Sequence, residues 1–155
     1  MTQRDFNTTL VVDQTPEEVF QVINNVRGWW SETIEGGTTQ FNDEFIYRHK
    51  DMHYSKQKIV ELIPNKKVVW LVTDSRLTFI KDRTEWTGTK ISFEIFVKDG
   101  KTLVSFNHLG LTSSLECFDD CSNGWSYYLK QSLLKLINTG KGQPDKKENK
   151  TITQS

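Results

Sequence analysis

Three histidines, two cysteines and a scatter of carboxylates are the side chains of this 155-residue chain best suited to moving a proton or holding a metal. Their spacing sorts them. Along Lys101 to Leu109, alternation puts Thr102, Val104, Phe106 and His108 on one face of a strand. With Val104 and Phe106 pointing inward, His108 enters the interior too. There an imidazole orients a ligand or acts as general acid or base, because it titrates near neutrality. The alternative is a histidine hydrogen-bonded to backbone or water at the edge of the interior, as most buried polar groups are. His49 and His53 flank an expected turn and lack the glutamate of a metal-binding H-E-x-x-H helix, so they read as surface histidines. Glu61 and Glu94 lie out of phase with their apolar neighbours and should face solvent. Cys117 and Cys121 have a C-x3-C spacing that fits neither a redox C-x-x-C nor a paired zinc knuckle. On one helix they fall on adjacent turns as small buried apolar residues. The chain contains no G-x-S-x-G elbow, Walker loop or G-x-G-x-x-G turn. No metal and no cofactor is indicated, and the chain is not a self-evident enzyme.

The elements that position these residues are legible in order. Asp5 to Asp13 alternates as a one-sided strand, with Phe6, Thr8, Leu10 and Val12 on one face. Thr15-Pro16-Glu17-Glu18 is a capping box with proline at the first helical position, and Val19, Phe20, Val22, Ile23 and Val26 form the stripe of a short helix. Val26 to Trp30 turns the chain into a second short helix carrying two indoles, and Gly36-Gly37 is the next break. Five strands follow: Glu44 to His49, His53 to Ile63, Lys67 to Thr73, Lys90 to Lys98 and Lys101 to Leu109, with Asp99-Gly100 as a two-residue hairpin turn. Asp74 to Thr89 is the least regular stretch, and Trp86-Thr87-Gly88 reads as a turn into the next strand. Ser113-x-x-Glu116 opens a long helix whose apolar stripe runs through Phe118, Cys121, Trp125, Tyr128, Leu129, Ser132, Leu133, Leu136 and Ile137. Gly124 is placed to kink or weaken it and Gly140 to end it.

This order does not alternate strand with helix as a parallel sheet requires, so it predicts an α+β fold: a curved antiparallel six-stranded sheet wrapped around the long C-terminal helix, with two short helices after the first strand. Residues 1–140 form one domain, a size at which roughly two-thirds of the chain's surface can be buried. Residues 141–155 are polar, lysine-rich and free of aromatic residues, which predicts a disordered tail.

Composition narrows the partners. The 20 basic and 20 acidic residues cancel, so no global field recruits nucleic acid or an anionic membrane. No apolar run reaches the roughly 18 residues of a membrane span, and the N-terminus lacks a secretory pattern, which points to the cytoplasm without membrane insertion. Against a hydrophobic fraction of only 35%, five Trp, nine Phe and four Tyr are a heavy aromatic load. A long helix on a twisted sheet covers its two ends unequally and leaves an internal hydrophobic cavity. The candidate ligand-binding wall is Trp29, Trp30, Tyr47, Tyr54, Trp70, Phe93, Phe106, His108, Trp125, Tyr128 and Leu129. The same rings also suit a packed core.

The segment Ile59-Val60-Glu61-Leu62-Ile63-Pro64-Asn65-Lys66-Lys67-Val68-Val69-Trp70 resembles the E-L-x-P strand pair of the SRPBCC superfamily, also called the START-like or helix-grip fold. Within it the chain is most similar to the bacterial branch related to the activator of heat-shock-protein-90 ATPase. Thr15 to Phe20 is similar to that family's first helix, and Phe106 to Leu111 with Gly124-Trp125 to its last strand and helix. The resemblance covers residues 5 to 141. It implies a helix-grip domain and three functions: binding of a small hydrophobic or aromatic molecule in the cavity, cyclase- or dehydratase-like catalysis with His108 as acid/base, or interaction with a chaperone ATPase. Fold alone does not choose among them. A monomer or weak homodimer is expected. Thiol titration of the unfolded, unreduced protein should find both cysteines free. Stoichiometric zinc in the purified protein would show that Cys117 and Cys121 recruit outside ligands.

Overall fold

A computed structural model describes residues 5–49, 53–77, 86–112 and 118–145. The first strand, β1 (Asp5–Val12), buries Leu10 and Val12 and leaves Val11 in solvent, as its alternation dictates. Helix α1 (Pro16–Asn24) starts from a complete capping box. The Glu18 N–H donates to Thr15 Oγ1 at 3.1 Å, and the Thr15 N–H donates to the Glu18 carboxylate at 3.1 Å. The short helix α2 (Val26–Trp29) then delivers Trp29 and Trp30 to the interior, both essentially fully buried.

The sheet has seven strands rather than six. All pair antiparallel, in the order β1-β7-β6-β5-β4-β3-β2. The additional one, β2 (Glu35–Gly36), is two residues long and pairs with β3 (Glu44–His49). Two residues carry no periodicity, so the sequence shows only the glycine. Gly36 has φ +102°, and a Cβ there would lie 2.2 Å from the Glu44 carbonyl oxygen, so its backbone reaches β3 only without a side chain. Strands β4 (His53–Ile63) and β6 (Lys90–Lys98) have the bounds the sequence predicts. Strands β5 (Lys67–Leu77) and β7 (Lys101–Thr112) run past their expected ends at Thr73 and Leu109. In β5 the register skips at Thr73, since Lys56 pairs with Asp74 but Gln57 with Val72. That bulge restores the inward phase and lets pairing continue. In β7, Gly110 at φ +105° absorbs the corresponding shift opposite Asp5 and Phe6.

The last helix crosses the concave face as α3 (Phe118–Ser126), a π-helical segment (Tyr127–Leu133) and α4 (Leu134–Thr139). The irregularity comes just after Gly124, as a widened turn. Leu129, Ser132 and Leu133, at i, i+3 and i+4, are all completely buried on the inner face. Gly140 ends the helix at φ +82°. The Ser113-x-x-Glu116 box and Cys117 lie outside the described residues.

The chain does not come loose after Gly140. Residues 141–145 fold back onto the domain, contrary to the disorder expected from their polarity. The Gln143 N–H donates to Ser132 Oγ at 2.7 Å, and Asp145 bridges in parallel to Ser31 through its N–H to the Trp30 carbonyl and its carbonyl to the Glu32 N–H, both at 2.9 Å. These are backbone and hydroxyl contacts, which need no apolar surface and so leave no mark in composition. Residues 146–155 lie outside the described residues. Thr15→Ala should remove the α1 cap at a cost of about 1 kcal/mol. Thermal unfolding should register this as a Tm lowered by about 2–4 °C.

Candidate functional site

The inward phase of β7 buries His108 completely, beside Val104 and Phe106. Its two ring nitrogens have dedicated partners. Trp125 Nε1–H, from α3, lies 3.0 Å from Nδ1, and Thr89 Oγ1 lies 2.8 Å from Nε2. An indole only donates, so Nδ1 accepts and the proton sits on Nε2, where it is donated to Thr89. The Thr89 hydroxyl then donates to the Trp86 carbonyl at 2.6 Å. Burial first, and the neighbouring His53 second, lower the His108 pKa from 6.5 to about 3. The ring is a neutral link in the chain Trp125, His108, Thr89, Trp86 carbonyl. Its lone pair is already engaged, so of the two sequence readings the geometry favours the hydrogen-bonded histidine over the acid/base.

A second row of polar groups faces the interior from β4 and β5. Ser55 and Gln57 are completely buried and Ser75 nearly so. Gln57 Nε2 donates to Ser55 Oγ at 2.6 Å, His53 Nε2 lies 3.2 Å from the same hydroxyl, and Ser75 Oγ lies 2.8 Å from Thr87 Oγ1. Gln57 Oε1 and Trp70 Nε1 are buried without a hydrogen-bond partner among the described residues. His53 is not a surface histidine: its ring is half-buried and stands edge-on to Tyr47 at 5.0 Å and to Trp86 at 4.6 Å. The sequence carried the signal for this row. His53, Ser55 and Gln57 share the phase of Ile59, whose inward orientation is plain, yet polar residues on an apolar phase are easily read as solvent-facing.

Aromatic rings crowd the space between these rows. Trp30 is their hub, stacked on Tyr47 at 4.4 Å and on Trp70 at 5.9 Å, and 5.1 Å from Trp125. Trp29 and Phe93 pack behind Trp70, and Phe106 touches both Phe93 and Trp125. Leu129 is buried against this cluster. Of the eleven expected wall residues, Tyr54 alone stands apart. It lies on the outer phase of β4 with the Arg48 guanidinium 5.0 Å over its ring. Trp86 was missed inside the irregular stretch. It is buried, parallel to Trp125 at 5.9 Å, and its Nε1–H donates to Cys121 Sγ at 3.3 Å.

At the β3 side of this cluster the hydroxyls of Tyr47 and Tyr128 lie 3.0 Å apart, and both reach the Asp145 carboxylate. Tyr47 is 2.8 Å from Oδ2, and Tyr128 is 2.9 and 2.8 Å from the two oxygens. Burial is the largest cause raising both phenol pKa values, so both stay protonated donors. Among the described residues no group of three metal-ligating side chains occurs. An open groove of about 620 Å³ lies at the opposite end of β4 and β6, lined by Ile63, Pro64, Phe96 and Val97 among others. It shares no residue with the polar rows.

No family model and no curated protein matches the chain. Solved structures do. The Aha1 dimer of Colwellia psychrerythraea is similar at 24% identity and TM-score 0.71, over 92% of this chain and 100% of that one. Protein SSP2350 of Staphylococcus saprophyticus is similar at 16% identity and TM-score 0.67, over 91% and 96%. CalU16 of Micromonospora echinospora is similar at 14% identity and TM-score 0.61, over 88% and 77%. The chain shares the fold of these proteins, a curved antiparallel sheet around a long C-terminal helix, which is the helix-grip class the sequence predicts. At these identities the likeness concerns the fold, and the interior groups described above are this chain's own. No helix of the described residues is long and apolar enough to cross a membrane.

The His108 ring has a clear pH signature. Its folded pKa is depressed, so its contribution to stability is complete above the unfolded value of 6.5 and is lost as pH falls from there toward about 3. Within that window each pH unit should cost about 1.4 kcal/mol. Imidazole resonances should show His108 neutral throughout the pH range in which the protein stays folded. A titration midpoint near 6.5 would place the ring in solvent.

Proposed function

We propose that this is a cytoplasmic small-molecule-binding protein that takes an aromatic or apolar compound bearing a polar group into the space between sheet and last helix. The observation that carries this reading is Gln57: a completely buried amide whose oxygen has no partner among the described residues, with Trp70 Nε1 on the neighbouring strand also unpartnered. An unsatisfied buried polar atom costs about 1–3 kcal/mol, whereas an apolar residue of the same shape would cost nothing comparable. Polar atoms that face an aromatic cage without mutual satisfaction are what a ligand's donor and acceptor use for orientation. The stacked Trp30, Tyr47 and Trp125 supply flat apolar surface beside them.

Binding is favoured over catalysis because the one candidate acid/base, His108, is held neutral and hydrogen-bonded on both nitrogens. The Colwellia neighbour is described as a dimer, which supports keeping a weak homodimer among the states of this protein.

Thermal unfolding in the presence of a panel of aromatic acids, phenols, amides and fatty compounds tests the reading. A true ligand at one hundred times its Kd should stabilise by about 2.7 kcal/mol, a plainly measurable rise in Tm. Gln57→Leu should leave the fold intact and reduce the preference for polar over purely apolar members. A panel that leaves Tm unmoved, together with native mass spectra showing only the bare chain from its own cells, would retire the reading.

A further inference from the structure

The two tyrosines on Asp145 point to the ligand's chemistry. Tyr47 comes from β3 and Tyr128 from the π-helical segment, two elements far apart in sequence that converge their hydroxyls to within 3.0 Å. Both phenols are held protonated by burial, so the pair offers neutral donors to an anionic oxygen. The acceptor they meet is the chain's own Asp145, at 2.8 to 2.9 Å. It arrives on a short segment beyond the end of the last helix. Among the described residues its anchors include the Gln143 N–H on Ser132 Oγ, a long Tyr127 hydroxyl contact to the Gln143 carbonyl, the two backbone bonds of Asp145 to Trp30 and Glu32, and the tyrosine contacts themselves.

The position of this anchor is the second part of the argument. Asp145 binds the backbone of Trp30, the hub ring that stacks on Tyr47. The docked segment therefore fixes the ring that would have to yield for a molecule to enter. We propose that the Tyr47–Tyr128 hydroxyl pair is a carboxylate-binding site, that Asp145 fills it in cis, and that the ligand is an aromatic carboxylate whose carboxyl group displaces Asp145 while its ring lies against Trp30. This rests on the ligand-binding reading above and names the ligand class. Competition follows directly: while Asp145 is docked only a fraction of molecules is competent, and the apparent affinity falls by that fraction.

Two variants release the segment by different means. Asp145→Ala removes the competing carboxylate. Gly142→Ala keeps it but places a Cβ 2.4 Å from the Gly28 carbonyl oxygen, a backbone clash that dislodges the segment. Isothermal titration of the full chain with 2-naphthoate and with 2-naphthamide, which has nearly the same shape without the charge, reads the outcome. Both variants should bind 2-naphthoate about tenfold or more tighter than the wild type, the gain expected when a mostly closed state is opened. The amide should gain much less. Adding Tyr47→Phe and Tyr128→Phe to Asp145→Ala should abolish the gain for the acid and leave the amide unaffected. Should Asp145→Ala fail to fold, Gly142→Ala carries the comparison. If the amide binds but the acid is no tighter in either released variant, the carboxylate site is wrong while the ligand-binding reading stands. If neither probe binds any variant, the carboxylate proposal is overturned, and the broader panel above decides the parent reading separately.

Discussion

The hydrogen bond from the Trp125 indole to His108 Nδ1 joins the two halves of this molecule. It runs between the last helix and the centre of the sheet, at 3.0 Å and out of contact with water. Through Nε2 the same ring fixes Thr89, and through Thr89 the carbonyl of Trp86, so one imidazole sets the helix, the β7 strand and the turn before β6 in mutual register. A charged ring in that place would carry a proton on Nδ1 facing the Trp125 N–H, which offers no acceptor, and would have to break that contact. The depressed pKa and the structural role thus have one cause, burial among donors already committed.

Around that link the interior divides into a dry part and a polar part. Trp29, Phe93 and Phe106 pack edge to face and serve as ordinary core. Toward β3 and β4 the inward phase turns polar, with Ser55, Gln57 and Ser75 buried and the His53 ring against Tyr47. In a purely structural interior such groups satisfy each other. Here some do, through the Gln57–Ser55 and Ser75–Thr87 contacts, and two atoms do not. Gln14 Oε1, Asn24 Oδ1 and Ser122 Oγ are likewise buried without a partner among the described residues, but they lie outside these rows.

Two local irregularities make this geometry available. The register skip at Thr73 keeps Ser75 on the inner face of β5 after Val72, where strict alternation would have turned it outward. The π-helical turn from Tyr127 to Leu133 lets Tyr128 approach Tyr47 while Ser132 still points inward to bond the Trp29 carbonyl at 2.6 Å and receive the Gln143 N–H. Each departs from regular periodicity by one residue, and each supports a group of the candidate site.

The sequence by itself determined the helix-grip class, the capping box of α1, the bounds of β3, β4 and β6, and the burial of His108, because these follow from local periodicity and turn chemistry acting over a few residues. Tertiary structure decided the rest. Whether His108 is an acid/base or a structural link depended on Trp125 and Thr89, which reach it from other elements. The inward face of His53, Ser55 and Gln57 follows the phase of Ile59 but is masked by their polarity, the inward face of Ser75 depended on a bulge that no propensity marks, and β2 was too short to show a period. The docking of residues 141–145 depended on tyrosine hydroxyls contributed by β3 and the last helix. Composition registers only the apolar area a segment can bury, and this segment is held by hydrogen bonds whose partners exist only once the chain has folded.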